Sequence, residues 1–194
     1  MSIVGGDTNA SDFLVINIAV IGEASRRILT RSGAKVGDGI YVTGTLGDSA
    51  LGFEALKSGK RKSFDFFVRK HITPPDRLKV GQRLAEMPTV HSAMDISDGL
   101  VGDLEHILEK SRVGAEINVD RIPCSQKIPV ALKLGGGEDY ELLFTASKMV
   151  PGTVAGVKVT RIGTILPRSS GLKVVDSMGR EVALDKEKIG FRHF

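Results

Sequence analysis

Residues 94–100 (MDISDGL) constrain the fold most, because they place two carboxylates three positions apart where a strand leads into a helix. Residues 89–94 favour a short β-strand, and apolar residues recur at helical spacing from Leu100 onward. Asp95, Ser97 and Asp98 therefore fall in the connecting turn. Two interpretations stay open: one of these residues caps the helix, or the carboxylates hold a magnesium ion beside the positive end of the helix, where phosphate binds.

Composition and charge argue against several classes of function. With 41% hydrophobic and 26% charged residues, the 194-residue chain has the balance of a globular protein with a buried core. The single Cys124 cannot form an internal disulfide, and the four histidines lack zinc-ligand spacing. A net charge of +4 and one short basic cluster at 57–62 do not favour nucleic-acid binding. Without a signal-peptide pattern or a long apolar run, we expect a cytoplasmic protein with no membrane partner.

The order of periodic segments predicts an α/β or α+β fold with a mixed sheet, since strands and helices alternate irregularly. The predicted strands are 39–43, 89–94, 114–119, 140–146 and 157–165, with a hairpin at 172–175 and 181–184. The predicted helical segments are a turn at 25–31 and helices opening near 48, 63, 76 and 100.

Residues 13–21 (FLVINIAVI) are rich in β-branched residues and predict a strand that needs partners on both sides. Only the turn-rich residues 5–11 precede this segment. The predicted strand must therefore pair with later segments, with a second copy of the chain, or with a domain outside it.

Three acid-containing turns flanked by glycine stand out: 5–8 (GGDT), 95–99 (DISDG) and 136–142 (GGEDYEL). Each by itself is consistent with a tight turn. Together they suit a phosphoryl-transfer enzyme, because glycine lets the backbone approach phosphate and several carboxylates can hold more than one magnesium ion. A fourth glycine-rich turn at 44–48 lacks the Lys-Ser/Thr pair of a P-loop, and a tight turn is its simpler explanation.

The chain resembles the thiamine-monophosphate kinase family over nearly its whole length. The motifs that carry the resemblance occur in the family's order: GGDT, RSGA at 31–34, TGTLGDS at 43–49, DISDGL, GGEDYELLF at 136–144 and GFRHF at 190–194. This family belongs to a superfamily with aminoimidazole ribonucleotide synthetase. The resemblance implies ATP- and magnesium-dependent phosphorylation of thiamine monophosphate to thiamine diphosphate by in-line transfer.

The resemblance also implies roles for single residues. The implied magnesium ligands are Asp7, Asp95 and Asp98; the ATP contacts are Gly6, Asp7, Arg31 and Ser97; and the contacts with thiamine monophosphate are Glu138 and Phe191. Simpler roles stay open for three of them. Arg31 can be a solvated partner of a helix dipole, Glu138 can support its glycine turn, and Phe191 can pack in the core.

Members of the resembled family carry a further half-domain before GGDT, with additional magnesium ligands and a dimer interface. We therefore expect residues 1–24 to be the last strand of a truncated N-terminal domain for ATP binding and dimerisation, residues 25–194 to form a C-terminal α/β domain, and the protein to be a homodimer. The alternatives are a non-catalytic module for nucleotide or phosphate binding or for oligomerisation, and another ATP-dependent member of the superfamily.

Overall fold

A mixed β-sheet with helices on its two faces forms the framework of the molecule, and a computed structural model describes residues 2–24 and 27–183. The strands are β1 (Gly39–Thr43), β2 (Val90–Asp95), β3 (Gly114–Asn118), β4 (Leu142–Ala146), β5 (Thr153–Val154), β6 (Val157–Leu166) and β7 (Leu172–Val175). The α-helices are α1 (Asp48–Lys57), α2 (Asp65–Ile72), α3 (Leu78–Glu86), α4 (Leu100–Ser111) and α5 (Val130–Gly135). Within the described ranges, none of these helices combines the length and the apolar character needed to cross a bilayer.

The strands follow the order β2-β4-β1-β6-β3-β7, with β5 paired to β6. Neighbouring strands are antiparallel except β3 and β7, which are parallel. The mixed sheet confirms the predicted fold class. Because β2 and β4 are antiparallel, with Asp95 opposite Leu142, the end of β2 lies beside the start of β4. The turns at 95–99 and 136–141 therefore meet at one edge of the sheet.

Alternate side chains of the central strands enter two separate cores. Ile40 and Val42 of β1 join a cluster with apolar residues of α4, whereas Tyr41 joins a cluster with Val80 and Leu84 of α3. The Tyr41 ring stacks on that of Phe144 at 5.3 Å between centroids. Full burial of β1 agrees with its continuous apolar sequence, because a strand covered on both faces needs no polar alternation.

Residues 13–21 do not form the predicted strand, and within the described residues the segment pairs with none of the seven strands. Its apolar side chains are exposed, with Phe13 at 80% and Ile21 at 93%. A strand needs a neighbour with unpaired backbone groups. The outer edge of β2 is already occupied where the amide of Ala93 donates to the carbonyl of Thr30 at 3.0 Å. Pairing with later segments of this chain, one of the expected options, is therefore wrong here.

Residues 27–30 have no regular secondary structure and residue 31 begins a bend, which corrects the predicted helical turn over its described part. The guanidinium of Arg27 donates at 2.8 Å to the carbonyls of Met87 and Val90. These contacts and the Thr30–Ala93 bond align the segment with the edge of β2. Tertiary partners therefore override a short local helical tendency. At the other end of the sheet, the described part of the predicted hairpin is a bridge between Val175 and Glu181, with backbone hydrogen bonds from Val182 to Val174 and from Asp176 to Arg180. Its second arm up to residue 183 forms no strand of its own, and β7 pairs with β3.

The buried carboxylate of Asp139 links the 136–141 turn to the start of α1. Its Oδ2 accepts from the amide of Gly47 at 2.6 Å, and its Oδ1 accepts from the amide of Ser49 at 3.1 Å. Amides at a helix start lack partners within the helix and are available as donors. Burial raises the pKa of Asp139 to about 7, although these two hydrogen bonds lower it.

The pKa of Asp139 is 3.8 in the unfolded chain and about 7 in the folded protein. We therefore expect the free energy of unfolding to fall as pH rises between these two values. The folded state holds this proton more tightly, so its stabilisation is complete below the unfolded pKa and disappears as pH passes the folded pKa. The slope from this group reaches about 1.4 kcal/mol per pH unit. Urea unfolding between these pH values checks it.

Asp139→Asn should lack this part of the slope, and a slope equal to that of the unmodified chain would contradict the assignment. Asp176→Asn is the matched control. Hydrogen bonds from Arg180 lower the pKa of Asp176, so its titration lies below the window in which Asp139 ionises.

Candidate active site

Two acidic turns lie side by side at the junction of β2 and β4. The amide of Ile96 donates to the carbonyl of Glu141 at 2.8 Å, and the amide of Tyr140 donates to the carbonyl of Ile96 at 2.9 Å. One step further, the amide of Glu138 donates to the carbonyl of Ser97 at 2.8 Å. The turns that the sequence singled out separately are therefore joined by a backbone ladder that continues the pairing of the strands.

Asp103 organises the 95–99 turn from within α4. Its Oδ2 accepts from the amides of Ser97 and Asp98 at 2.9 and 3.0 Å, and the residue is 1% exposed. Burial raises the pKa of Asp103, although both hydrogen bonds lower it. Sequence reasoning did not single out Asp103. Its signal was an acidic residue in the first turn of a helix, where unpaired amides need an acceptor.

Gly99 occupies the N-cap position of α4, so neither an Asp nor a Ser caps this helix. Its φ is +112°, and a Cβ built there would lie 2.8 Å from the backbone carbonyl carbon of Gly135. The left-handed conformation and the close approach both require glycine. The capping interpretation of Asp95, Ser97 and Asp98 is therefore wrong.

Carboxylates gather around the joined turns. Asp95 and Asp98 are exposed, and ligand atoms of Asp98, Asp103 and His106 lie within 4.8 Å of one another. The hydroxyl of Tyr140 donates to Oε2 of Glu138 at 3.2 Å. Burial raises the pKa of Tyr140 first, and the charges of Glu138, Asp95 and Asp98 raise it further. The carboxylate oxygens in this set fit a hard divalent cation such as magnesium, whereas His106 offers a nitrogen atom.

A cavity of about 880 Å³ opens beside these turns. Asp95 and Tyr140 line it on the side of the turns, Arg77 lies in its wall, and Leu78 and Gly81 of α3 form another part of the lining. Cavities of this size, with apolar walls and a few polar groups, are typical of small-molecule sites.

Gly6 and Asp7 lie in the exposed N-terminal segment. The carboxylate of Asp7 accepts from the amide of Thr8 at 2.8 Å and from the side chain of Asn9 at 3.2 Å, both within its own turn. A Cβ added to Gly6 would meet no atom within 4 Å. In this structure the GGDT turn has therefore not been brought against the 95–99 turn.

Arg31 lies at the far end of α4 from Asp98. Its carbonyl accepts from Oγ of Ser111 at 3.1 Å, and that Oγ also accepts from the amides of Gly33 and Ala34. Ser111 is the last residue of α4, whereas Asp98 precedes its start. Phe191 lies outside the described residues. Of the predicted site residues, the structure thus brings together Asp95, Ser97, Asp98 and Glu138.

We expect Asp103→Ala to destabilise the fold by about 2 kcal/mol, because two amides of the turn lose their buried acceptor. Urea unfolding measures the change. Glu109→Ala removes an exposed carboxylate from the same helix and should cost less than about 0.5 kcal/mol. Equal losses from the two variants would contradict the role of Asp103.

The chain is similar to known proteins over most of its length. Thiamine-monophosphate kinase of Escherichia coli (strain K12) is 38% identical over 213 residues, which cover 100% of this chain and 64% of that protein. The solved structure of AaThiL complexed with AMPPCP and TMP superposes with a TM-score of 0.71 at 33% identity, covering 87% of this chain and 55% of the other.

The crystal structure of thiamine-monophosphate kinase from Stenotrophomonas maltophilia K279a gives a TM-score of 0.68 at 31% identity, covering 79% of this chain and 54% of the other. This chain thus spans less than two thirds of the length of these relatives. Residues 35–171 match the family model for the AIR synthase related protein, C-terminal domain. The match extends over more than half of the chain, which therefore belongs to the AIR synthase related protein family through this C-terminal domain.

Proposed function

We propose that this chain carries part of the active centre of a thiamine-monophosphate kinase, which transfers a phosphoryl group from ATP to thiamine monophosphate. The observation that carries the proposal is the backbone ladder between the 95–99 and 136–141 turns. It holds exposed carboxylates of one turn beside Glu138 of the other. Relatives named thiamine-monophosphate kinase, and a related structure complexed with AMPPCP and TMP, support the choice of nucleotide and acceptor.

Asp95 and Asp98 are the proposed magnesium ligands, and Asp7 would add a third once the GGDT turn approaches them. Both aspartates of the 95–99 turn are exposed, so their oxygens are accessible to a cation. Asp103 holds the backbone of their turn through two hydrogen bonds. Magnesium bound there would offset negative charge on the transferring phosphoryl group and on its leaving group.

The remaining predicted residues would bind the two substrates. We propose that Gly6, Ser97 and Arg31 contact ATP, since a glycine backbone, a hydroxyl and a guanidinium all suit phosphate oxygens. Glu138 would complement the cationic thiazolium ring of thiamine, and Phe191 would stack on one of its rings. The acceptor oxygen belongs to an already ionised phosphate, so the reaction requires no strong base among these side chains.

The test mixes the purified chain with ATP, magnesium and thiamine monophosphate and measures thiamine diphosphate by chromatography of the products. Formation of thiamine diphosphate supports the proposal, and its absence from a folded sample contradicts catalysis by this chain on its own. Asp98→Asn should lower turnover by at least about 100-fold, because a lost metal ligand weakens charge stabilisation in the transition state. Glu109→Gln, which changes an exposed carboxylate on α4, is the control and should keep full activity. Normal turnover in Asp98→Asn would contradict the metal assignment.

A second candidate function is a module that binds nucleotide or phosphate without catalysis. The GGDT turn favours it, because the hydrogen bonds of Asp7 stay within its own turn and part of the proposed ligand set is therefore distant. Calorimetric titration with magnesium and ATP separates the two. Binding without formation of thiamine diphosphate by a folded sample would support the module and contradict catalysis by this chain.

We propose further that residues 1–24 belong to an N-terminal unit for ATP binding and dimerisation, which is distinct from the α/β domain of residues 25–194, and that the protein is a homodimer. The exposed apolar side chains of residues 13–21 support this proposal, because such a segment is stable in water only when it is paired. Light scattering after size-exclusion chromatography should report a dimer. Asn17→Lys, which places a charge within the segment, should shift the protein toward the monomer. Asp12→Lys, at the edge of the segment, is the control and should remain a dimer.

A further inference from the structure

Arg77 and Glu141 form a buried bidentate ion pair beside the candidate site. Nε of Arg77 donates to Oε2 of Glu141 at 2.6 Å, and Nη2 donates to Oε1 at 2.6 Å. The side chain of Glu141 is 1% exposed and that of Arg77 is 16% exposed. Parallel hydrogen bonds of this kind fix the relative orientation of both groups as well as their separation.

The surroundings of Glu141 are built around its carboxylate. Oγ1 of Thr43 donates to Oε2 of Glu141 at 2.6 Å, and the same Oγ1 accepts from the amide of Leu142 at 2.8 Å. A Cβ at Gly44 would lie 2.0 Å from Oε1 of Glu141, so glycine leaves the space that this oxygen fills. The carboxylate thereby ties β1 and the N-terminus of α3 to the first residues of β4.

The backbone of Glu141 connects this network to the two acidic turns. Its carbonyl accepts from the amide of Ile96 at 2.8 Å. Immediately before it, Glu138 and Tyr140 adopt positive φ values of 65° and 50°. Residues with side chains hold this conformation only where their surroundings enforce it, and such strain is common at functional sites. On the side of α3, the ion pair constrains Glu141, the residue that directly follows this strained segment.

We propose that Arg77 is a positioning residue for the proposed kinase site. Through Glu141 it holds the strained 138–140 turn against the 95–99 turn, and so keeps Glu138 and the exposed aspartates in one arrangement. A purely stabilising role makes a different prediction. Buried ion pairs can often be replaced by neutral partners of similar size without loss of stability. If the pair only stabilised the fold, such a replacement would leave the mobility of the two acidic turns unchanged.

The paired variant Arg77→Gln/Glu141→Gln tests the proposal. Glutamine at 141 keeps an acceptor for Thr43, the amide oxygen of glutamine at 77 can accept from the new NH2 group, and removal of both charges leaves no unpaired ion in the interior. We expect its urea midpoint to stay near that of the unmodified chain. Amide hydrogen exchange in residues 94–99 and 137–142 should nevertheless accelerate by about tenfold or more, while exchange in β3 stays unchanged. Arg83→Met, which breaks an exposed ion pair on α3, is the control and should leave exchange in these turns unchanged.

The turnover measurement rests on the proposed kinase function. We expect kcat of the paired variant to fall by about tenfold or more with KM for ATP changed less than about twofold, because misplacement of reacting groups acts on the transition state. Should the unmodified chain form no thiamine diphosphate, catalysis by this chain on its own is contradicted, whereas hydrogen exchange still decides the role of Arg77.

Unchanged exchange in both turns of a stable paired variant would overturn the proposal. Should the paired variant unfold, Arg77→Lys replaces it, because lysine keeps the charge but cannot form both parallel hydrogen bonds. Faster exchange in residues 137–142 of folded Arg77→Lys would support the positioning role. Exchange equal to that of the unmodified chain would overturn it.

Discussion

A carboxylate can be buried only where donors surround it, and this constraint organises the loops of the protein. Within residues 2–24 and 27–183, the buried acidic residues are Asp38, Asp48, Asp103, Asp139 and Glu141. Asp38 bonds His91 and the amide of Lys35, and Asp48 accepts from Thr45 and Ser125. Asp103 accepts from amides of the 95–99 turn, and Asp139 accepts from amides at the start of α1. Glu141 accepts from Thr43 and Arg77. Each buried acid thus joins segments that are distant or irregular, where strand pairing alone cannot hold the chain.

The acidic residues near the candidate site form two groups, one buried and one exposed to solvent. Asp103, Asp139 and Glu141 are buried and accept hydrogen bonds from donors within the protein. Asp95 and Asp98 stay exposed on the turn that Asp103 holds. Close carboxylates repel each other unless a cation or donors compensate them, so the exposed group is the one suited to metal. A firm backbone beneath exposed carboxylates suits the proposed transfer of a phosphoryl group.

Sequence patterns predicted most regular elements because their periodicity reflects burial directly. Strand β1 and helix α4 follow their apolar patterns, and the predicted strand at 89–94 differs from β2 by one residue. Patterns failed where partners decide the outcome. Residues 13–21 have strand composition, but in the part of the chain that the structure describes they pair with no strand. Residues 27–31 are not helical, because Ala93 and two carbonyls bind the segment along β2. Arg77 and Asp103 escaped notice because neither lies in a motif, and their importance comes from contacts across the fold.

By itself the sequence determined the order of strands and helices from residue 39 onward, the three glycine-flanked acidic turns and the family resemblance, since all of these depend on neighbouring residues along the chain. Only the tertiary structure decided that antiparallel pairing of β2 with β4 joins two of these turns, and that Gly99 rather than an acid caps α4. Strand register and burial are set by groups far apart in sequence. The choice of which carboxylates are buried and which face solvent therefore belongs to the folded chain.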